Sequence, residues 1–541
     1  MDSSERDARV FALYEQLLEI EQRLIPTGLH VFGRASSAGE QVDLFKMIAS
    51  FDRPELGVRA LPAELVGDAV REFVGGGCDA AVRFLNEHGL ASEETRPVFA
   101  LLENVSAKLQ TNTEIDSLVR ALRGEYIEPG PGADIIQNPE VLPTGRNTHA
   151  VNPYSVPSAA AFARSEVVAT SLLERYRSEH GRFPEAMALV LWGLDNIKTQ
   201  GEGVAQALWL LGVRPVRDAL NRATTVEPIS LEELGRPRID VVMTVSGIFR
   251  DLFSPTVHLL DKAVRFVAQL DEPLDLNYVR KHVLEQIQHE ACDADEAAVR
   301  VFSNAPGNYG TNVNFMVMDS QWDREETLGD LFVTRKCFAY GRDSSGQAIE
   351  GKEARLAMDR ALSRVEATYQ NIDTFEIGLT DVDHYFEYLG GVSKAVEKRA
   401  RSRPSIYLSD SLSREVKIRS LEETVRLETR AKTLNPKWYE GMLKHGFRGV
   451  AEIENHVSNT FGWSATTDAV DDWIYGEVAN TFLFDESMLE RLRDLNPHSA
   501  HALAQRLLEA NGRGYWDADD AALEKLRDIS RSLEDQLEGV A

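Results

Sequence analysis

The sequence predicts an α/β plus α protein, with a doubly wound α/β domain flanked by mainly helical regions. Three observations carry this. Met187-Ala-Leu-Val-Leu-Trp192 and Ile239-Asp-Val-Val-Met-Thr-Val245 are short, nearly unbroken apolar runs of the kind buried on both faces of a parallel sheet, and Arg300-Val-Phe-Ser303 supplies a third. Segments of helical period separate these runs, which is the order of strands joined by crossover helices. On either side of the region the helical period continues without such runs.

Residues 1–127 read as a mainly helical region. Phe11, Tyr14, Leu17, Leu18 and Leu24 mark the apolar face of a first amphipathic helix that ends before Ile25-Pro26. Pro26 to Gly33 reads as a short extended element between turn residues. Residues 128–157 are irregular and rich in Pro, Gly and Asn, too long for a neutral connector, so the segment is expected to contribute to a site or to move. Residues 158–330 form the α/β domain, with helices from Ser158 (Ala161, Val168, Leu172 and Tyr176 on one side) and over Val204–Leu211. Residues 331–541 are expected to be mainly helical, with one strand at Ser405-Ile-Tyr-Leu-Ser409. A charged last helix carries Leu523, Leu526, Ile529 and Leu533 at helical spacing.

A chain of 541 residues exceeds what one core accommodates and predicts roughly three or four domains. The 59 basic and 86 acidic residues leave a net charge of −27, which repels polyphosphate and argues against nucleic-acid binding. Cys78, Cys292 and Cys337 are far apart and unpaired in sequence, which suits neither a disulfide framework nor a structural zinc site and points to a reducing, cytoplasmic setting. No apolar run approaches the roughly 20 residues of a membrane span, and the charged start lacks a secretory pattern.

Gly346-Gln-Ala-Ile-Glu-Gly351-Lys352 mimics a P-loop, but Glu353 occupies the Ser/Thr position and no apolar strand precedes it, so the motif is rejected. His282 and His289 lie near Glu285, Glu290 and Cys292 without metal-ligand spacing, and read as part of a partly exposed acidic helix. Three polar, glycine-bearing loops follow the three predicted strands: Gly193–Glu202, Ser246–Phe253 and Asn304–Asn312. Ligands of open α/β sheets bind at that edge, so the loops suggest a composite pocket. Equally, Asp195 and Asn196 could cap a helix, and Arg250–Asp251 could be an internal ion pair. Proline-rich Gly145–Pro157 holds Arg146 and His149 on a stiff backbone. Asp381-Val-Asp383-His384-Tyr385-Phe386-Glu387-Tyr388 sets carboxylates beside a histidine among aromatics, suited to accepting a proton or handling a hard cation, or else a satisfied structural histidine.

Several long segments in one order resemble the large subunit of magnesium chelatase and, more distantly, that of aerobic cobaltochelatase. They are Trp192-Gly-Leu-Asp-Asn-Ile-Lys-Thr-Gln-Gly-Glu202, Leu234–Asp240 through Phe249-Arg-Asp251, Thr433–Met442, Phe461–Thr467 and Glu509–Trp516. Asp195-Asn-Ile-Lys198, His149 and Trp438-Tyr-Glu-Gly-Met442 are similar to the magnesium type, while His30–Gly33, Arg250-Asp251 and Gly307–Gly310 look common to both. Asn152 and Leu194 depart from the family's usual Asp and Thr. The resemblance covers the C-terminal part of such subunits, which implies a fragment, a split subunit or a shortened paralogue, with the N-terminal part supplied as another chain.

The resemblance implies ATP-dependent insertion of Mg2+ into protoporphyrin IX for (bacterio)chlorophyll, the ATP being hydrolysed by AAA+ motor subunits. The alternatives are a truncated, non-catalytic porphyrin-binding paralogue and a cobalt-inserting subunit. Removal of two pyrrole protons needs a sheltered base, and Mg2+ needs oxygen donors. The implied roles are His384, Glu202 and His149 for proton transfer, and Asp381 and Asp383 for the cation. Arg146 and Arg250 are assigned to propionates, Trp192 and Tyr309 to the macrocycle, and His30 to a lesser part in the site.

Overall fold

The computed structural model describes residues 3–540 except 24, 27, 52, 54, 55, 133, 134, 137, 150, 151, 290, 291, 375 and 411–415. It divides into two compact units, one formed mainly by Met1–Ala150 and the other by most of the remainder.

The first unit holds helices Ser3–Gln22, Ala38–Ala49, Ala63–Glu87, Ser92–Leu109 and Glu114–Leu122. Ser37 starts the second helix with a capping box: its hydroxyl accepts from Glu40 N–H, and the Glu40 carboxylate accepts from the Ser37 N–H. Phe45, Ile48, Val70, Phe73, Phe99 and Leu102 form its core. The first helix differs from expectation in its packing: Phe11, Tyr14 and Leu17 are exposed, and Leu24 lies outside the described residues. Periodicity marks a face able to be buried, not the surface that buries it. Residues 31–34 form a turn, closed by Arg34 N–H donating to Val31 O at 3.0 Å, where the end of an extended element was expected. Within 128–157, 129–131 and 147–149 pair as short parallel strands.

The second unit is built on an eight-stranded sheet. In chain order the strands are β1 Ala186–Leu191, β2 Asp240–Val245, β3 Val301–Ser303, β4 Phe338–Arg342, β5 Ala348–Glu353, β6 Ala367–Ile372, β7 Ser405–Asp410 and β8 Lys417–Ser420. Their order across the sheet is β8-β7-β6-β1-β2-β3-β4-β5. The five strands from β7 to β3 are parallel, and β8, β4 and β5 add antiparallel edges. The fold is mixed α/β with a parallel-rich sheet. Every residue of β1 and β2 is buried, as continuous apolar runs require. Helix Ala159–His180 starts at Ser158, whose hydroxyl accepts from Ala161 N–H, and ends at left-handed Gly181. Helix Glu202–Leu211 is buried from Gly203 to Leu211 and is apolar nearly all round.

The sheet runs further than the sequence reading placed it, because β4, β5, β6 and β8 all lie beyond residue 330. β6 escaped notice since its buried Thr368, Gln370 and Asn371 break the apolar run. The P-loop mimic is the β4–β5 hairpin, turning at Asp343–Gln347, where Asp343 N–H donates to Gln347 O at 3.0 Å. His282 corrects another reading. It is buried, Nδ1 2.8 Å from Asp240 Oδ2, and Arg300 clamps the same carboxylate at 2.8 and 3.0 Å. Burial pushes Asp240 up, but Arg300 and His282 hold it down at about 2. This network pins the amino end of β2, away from the loops at its carboxyl end.

Candidate functional site at the carboxyl edge of the sheet

The chain lays β1, β2 and β3 outward in one direction, then returns to place β6 and β7 on the other side of β1. The strand order therefore reverses between β1 and β6, the place at which open α/β sheets receive ligands, and here Lys198 after β1 pairs with Asp373 after β6 at 3.2 Å. Trp192, Asp195 and Glu202 follow β1, Asp373 follows β6, and Ser246 and Asn304 follow β2 and β3. Lys336 joins them because antiparallel β4 starts at this edge, with Phe338 opposite Ser303.

The strand-end loops are stitched together. Gly193 N–H donates to Ser246 Oγ at 3.2 Å, and a Cβ at Gly193 would lie 2.6 Å from Ile248 Cγ2. A Cβ at Gly247 would collide with the Tyr309 ring. Arg250 Nη1 donates to the carbonyls of Asn304, Ala305 and Asn308 at 3.0–3.2 Å, and its Nε to Asp251 at 2.7 Å. Arg250 is thus buried as the clasp between the second and third loops. Tyr309, 54% exposed, lies over that guanidinium at 5.3 Å and donates its hydroxyl to Asp251. Asn196 caps locally, donating to Trp192 O at 2.7 Å and accepting from Val204 N–H at 3.3 Å.

Asp195 is not a cap. It is 5% exposed, and its Oδ1 has no hydrogen-bond partner among the described residues. Burial, with Asp373 and Glu202 beside it, pushes its carboxyl well above the usual range. Glu202 pairs with Arg164 at 2.9 Å and Asp373 with Lys198 at 3.2 Å. Tyr385 is buried between these acids and Trp192, whose ring lies 5.9 Å from Tyr385 and 4.5 Å from Tyr388.

His384 opens the next group. Its side chain is 60% exposed, with Nδ1 2.8 Å from Glu387 Oε2 and Nε2 unpartnered among the described residues. Glu387 is 1% exposed, and its Oε1 accepts from Thr311 Oγ1 at 3.0 Å, Asn312 N–H at 2.9 Å and Thr311 N–H. The bond to Glu387, with Asp383 nearby, raises the His384 pKa above its ordinary value. Burial alone would raise Glu387, but His384 and Thr311 hold it low. Lys336 is fully buried over the Tyr388 ring at 4.1 Å and donates to Val245 O at 2.8 Å and Asn304 Oδ1 at 3.0 Å. Burial drives its pKa well down, opposed by Glu387.

The two aspartates differ. Asp383 accepts from Asn314 Nδ2 at 2.6 Å and remains partly open. Asp381 is enclosed, with Oδ1 2.8 Å from His456 Nε2 and Oδ2 accepting from Lys432 and Gly378 N–H. Burial raises Asp381, yet His456 and Lys432 hold its carboxyl far below the carboxylate range. Among the described residues no group of three His, Cys, Asp or Glu side chains is arranged to hold a metal ion. No helix among them is long and apolar enough to cross a membrane.

His384, Glu202, Trp192, Arg250, Tyr309, Asp381 and Asp383 therefore belong to the second unit. His30, Arg146 and His149 belong to the first. His30 Nε2 lies 2.9 Å from Glu114 Oε1. Arg146 donates to the carbonyls of Glu140, Val141, Leu142 and Pro143 at 3.1–3.2 Å, so its guanidinium organises its own loop. The side chain of His149 lies outside the described part of the structure. Sequence reasoning missed Glu387, Asp373, Lys336 and Tyr385 as site residues. The i,i+3 spacing of His384 and Glu387 was the available signal.

A family model described as CobN/Magnesium Chelatase matches residues 1–523. The chloroplastic magnesium-chelatase subunit ChlH of Oryza sativa subsp. indica is 44% identical, over 99% of this chain and 43% of that protein. A magnesium-chelatase subunit of Cereibacter sphaeroides is 41% identical, over 98% and 40%. The aerobic cobaltochelatase subunit CobN of a Sinorhizobium species is 37% identical, over 74% and 32%. The catalytic subunit of cobaltochelatase from Mycobacterium tuberculosis superposes with a TM-score of 0.93 at 32% identity, covering 99% of this chain and 47% of that one. The chain thus spans less than half the length of these relatives. With this extent of match, the chain belongs to the CobN/magnesium chelatase family.

Proposed function

We propose that this chain is part of the tetrapyrrole-binding subunit of a metal chelatase, taking part in ATP-dependent insertion of Mg2+ into protoporphyrin IX. The observation that carries this reading is the His384–Glu387 pair, with an open imidazole Nε2, beside the Trp192–Tyr388 aromatic wall. In its neutral form His384 accepts a pyrrole N–H proton at Nε2, and buried Glu387 fixes the tautomer and stabilises the resulting imidazolium. Trp192 and Tyr309 offer apolar faces to the macrocycle. Asp383, with its partly open carboxylate, hands over the cation, while Asp381 positions the segment through His456 and Lys432. Glu202 is the second proton acceptor. Arg250 serves chiefly to hold the loops in register. ATP is hydrolysed on separate AAA+ subunits.

Magnesium is favoured by the 44% and 41% identity to magnesium-chelatase subunits over nearly the whole chain. Cobalt insertion is the second reading, supported by the fold shared with the cobaltochelatase subunit. The test supplies the chain with the remaining part of the large subunit, motor subunits, ATP and either metal, and follows the porphyrin absorption band. Mg2+ insertion abolished by His384→Ala supports the proposal. A band shift without insertion of either metal marks a binding module and overturns it.

A further inference from the structure

We propose that Asp195 is a resident carboxylic acid, protonated at neutral pH, and that its proton leaves neighbouring Glu202 ionised as a proton acceptor at the carboxyl edge of the sheet, beside the ends of β1 and β6. Glu202's part as acceptor rests on the chelatase reading, whereas the location of the proton does not.

Three carboxyl groups gather here with two cations. Glu202 is paired with Arg164 and Asp373 with Lys198. No cation forms an ion pair with Asp195 among the described residues, and its buried Oδ1 meets no hydrogen-bond donor. An ionised carboxylate in that position would be a buried, unpaired charge, which proteins avoid by taking up a proton. The surrounding elements strengthen the case. Tyr385 from helix Asp383–Tyr385 and Tyr369 from β6 are buried phenols that stay neutral, because burial raises both pKa values and the nearby acids raise them further. On its own helix Asp195 meets Lys198, already engaged with Asp373, and beyond it Thr199. Two cations thus balance two carboxylates, and the third group carries the proton.

This makes Asp195 a positioning residue, acting on Glu202 through charge. An ionised Asp195 would add a second negative charge beside Glu202 and favour protonating it, removing the acceptor. With Asp195 neutral, Arg164 is enough to hold Glu202 as a carboxylate.

Infrared difference spectroscopy on the ligand-free chain at neutral pH tests this. The wild type is expected to show the C=O stretch of a protonated carboxyl that shifts in deuterium oxide. Asp195→Asn should abolish the band, Glu202→Gln should retain it, and Lys198→Met, by freeing Asp373 of its cation, should enlarge it. Absence of the band from wild type, or its loss in Glu202→Gln, overturns the proposal. Should Asp195→Asn fail to fold, the Glu202→Gln and Lys198→Met spectra still decide. No porphyrin or metal enters the measurement, so its failure and that of the chelatase reading are told apart.

Discussion

Glu387 holds His384 by its ring nitrogen Nδ1 at 2.8 Å, joining a carboxylate that is almost fully buried to an imidazole that is mostly exposed. The backbone N–H groups of Thr311 and Asn312 fix the carboxylate from behind. The imidazole is therefore oriented before any ligand arrives.

Replacing Glu387 by Gln removes the anionic partner, so the His384 pKa is expected to fall toward its ordinary value near 6.5. The raised pKa makes the pair stabilise the fold fully below about 6.5, with the contribution lost as pH rises through the folded value. Titration of the imidazole signals by NMR in wild type and Glu387→Gln reads the shift. In the reconstituted chelatase, His384→Ala should lower the insertion rate about 100-fold or more, as loss of a general base does.

Asp240 predicts the opposite pH dependence. Its folded pKa of about 2 lies below the unfolded value of about 3.9, so its stabilisation is complete above about pH 4 and lost as pH falls through about 2. Asp240→Asn leaves Arg300 buried without its carboxylate and should cost about 3 kcal/mol. Urea unfolding at neutral pH measures the cost. Across an acid series the gap between the two proteins should narrow.

Gly201 has φ +91°, and a Cβ there would lie 2.9 Å from Pro157 Cα and closer still to Val156. Gly201→Ala should destabilise the second unit by about 2 kcal/mol, from backbone strain and overpacking together. It should also displace Glu202, the next residue. An unfolding midpoint equal to wild type would show that the turn yields.

Trp192→Ala removes the ring that faces Tyr388 and Tyr385. Fluorescence titration should show porphyrin affinity weakened about tenfold, in line with the loss of one aromatic contact surface. Tyr439→Ala, which removes a partly buried ring set edge-to-face against Phe482, should leave that affinity unchanged.

The sequence by itself determined the parallel core of the fold, because β1, β2 and β3 bury both faces and are apolar at most positions. It also determined family membership and the strand-end loops, whose glycines and polar residues are local features. It could not reveal β6, whose buried Thr368, Gln370 and Asn371 interrupt the apolar run; Thr368 and Gln370 find hydrogen-bond partners in Ser393 and Trp192 of other segments. With β6 unseen, the reversal of strand order beside β1 was unseen too, and so was the meeting of Asp195 with Asp373. Glu387 lies one helical turn from His384, a local spacing, but tertiary structure decided that Asp381 does not compete for the imidazole. Asp381 is adjacent in sequence but drawn away by His456 and Lys432, about 50 to 75 residues along the chain. Charge, burial and hydrogen bonding at this edge depend on contacts between distant segments, and periodicity along one chain does not encode which partners meet.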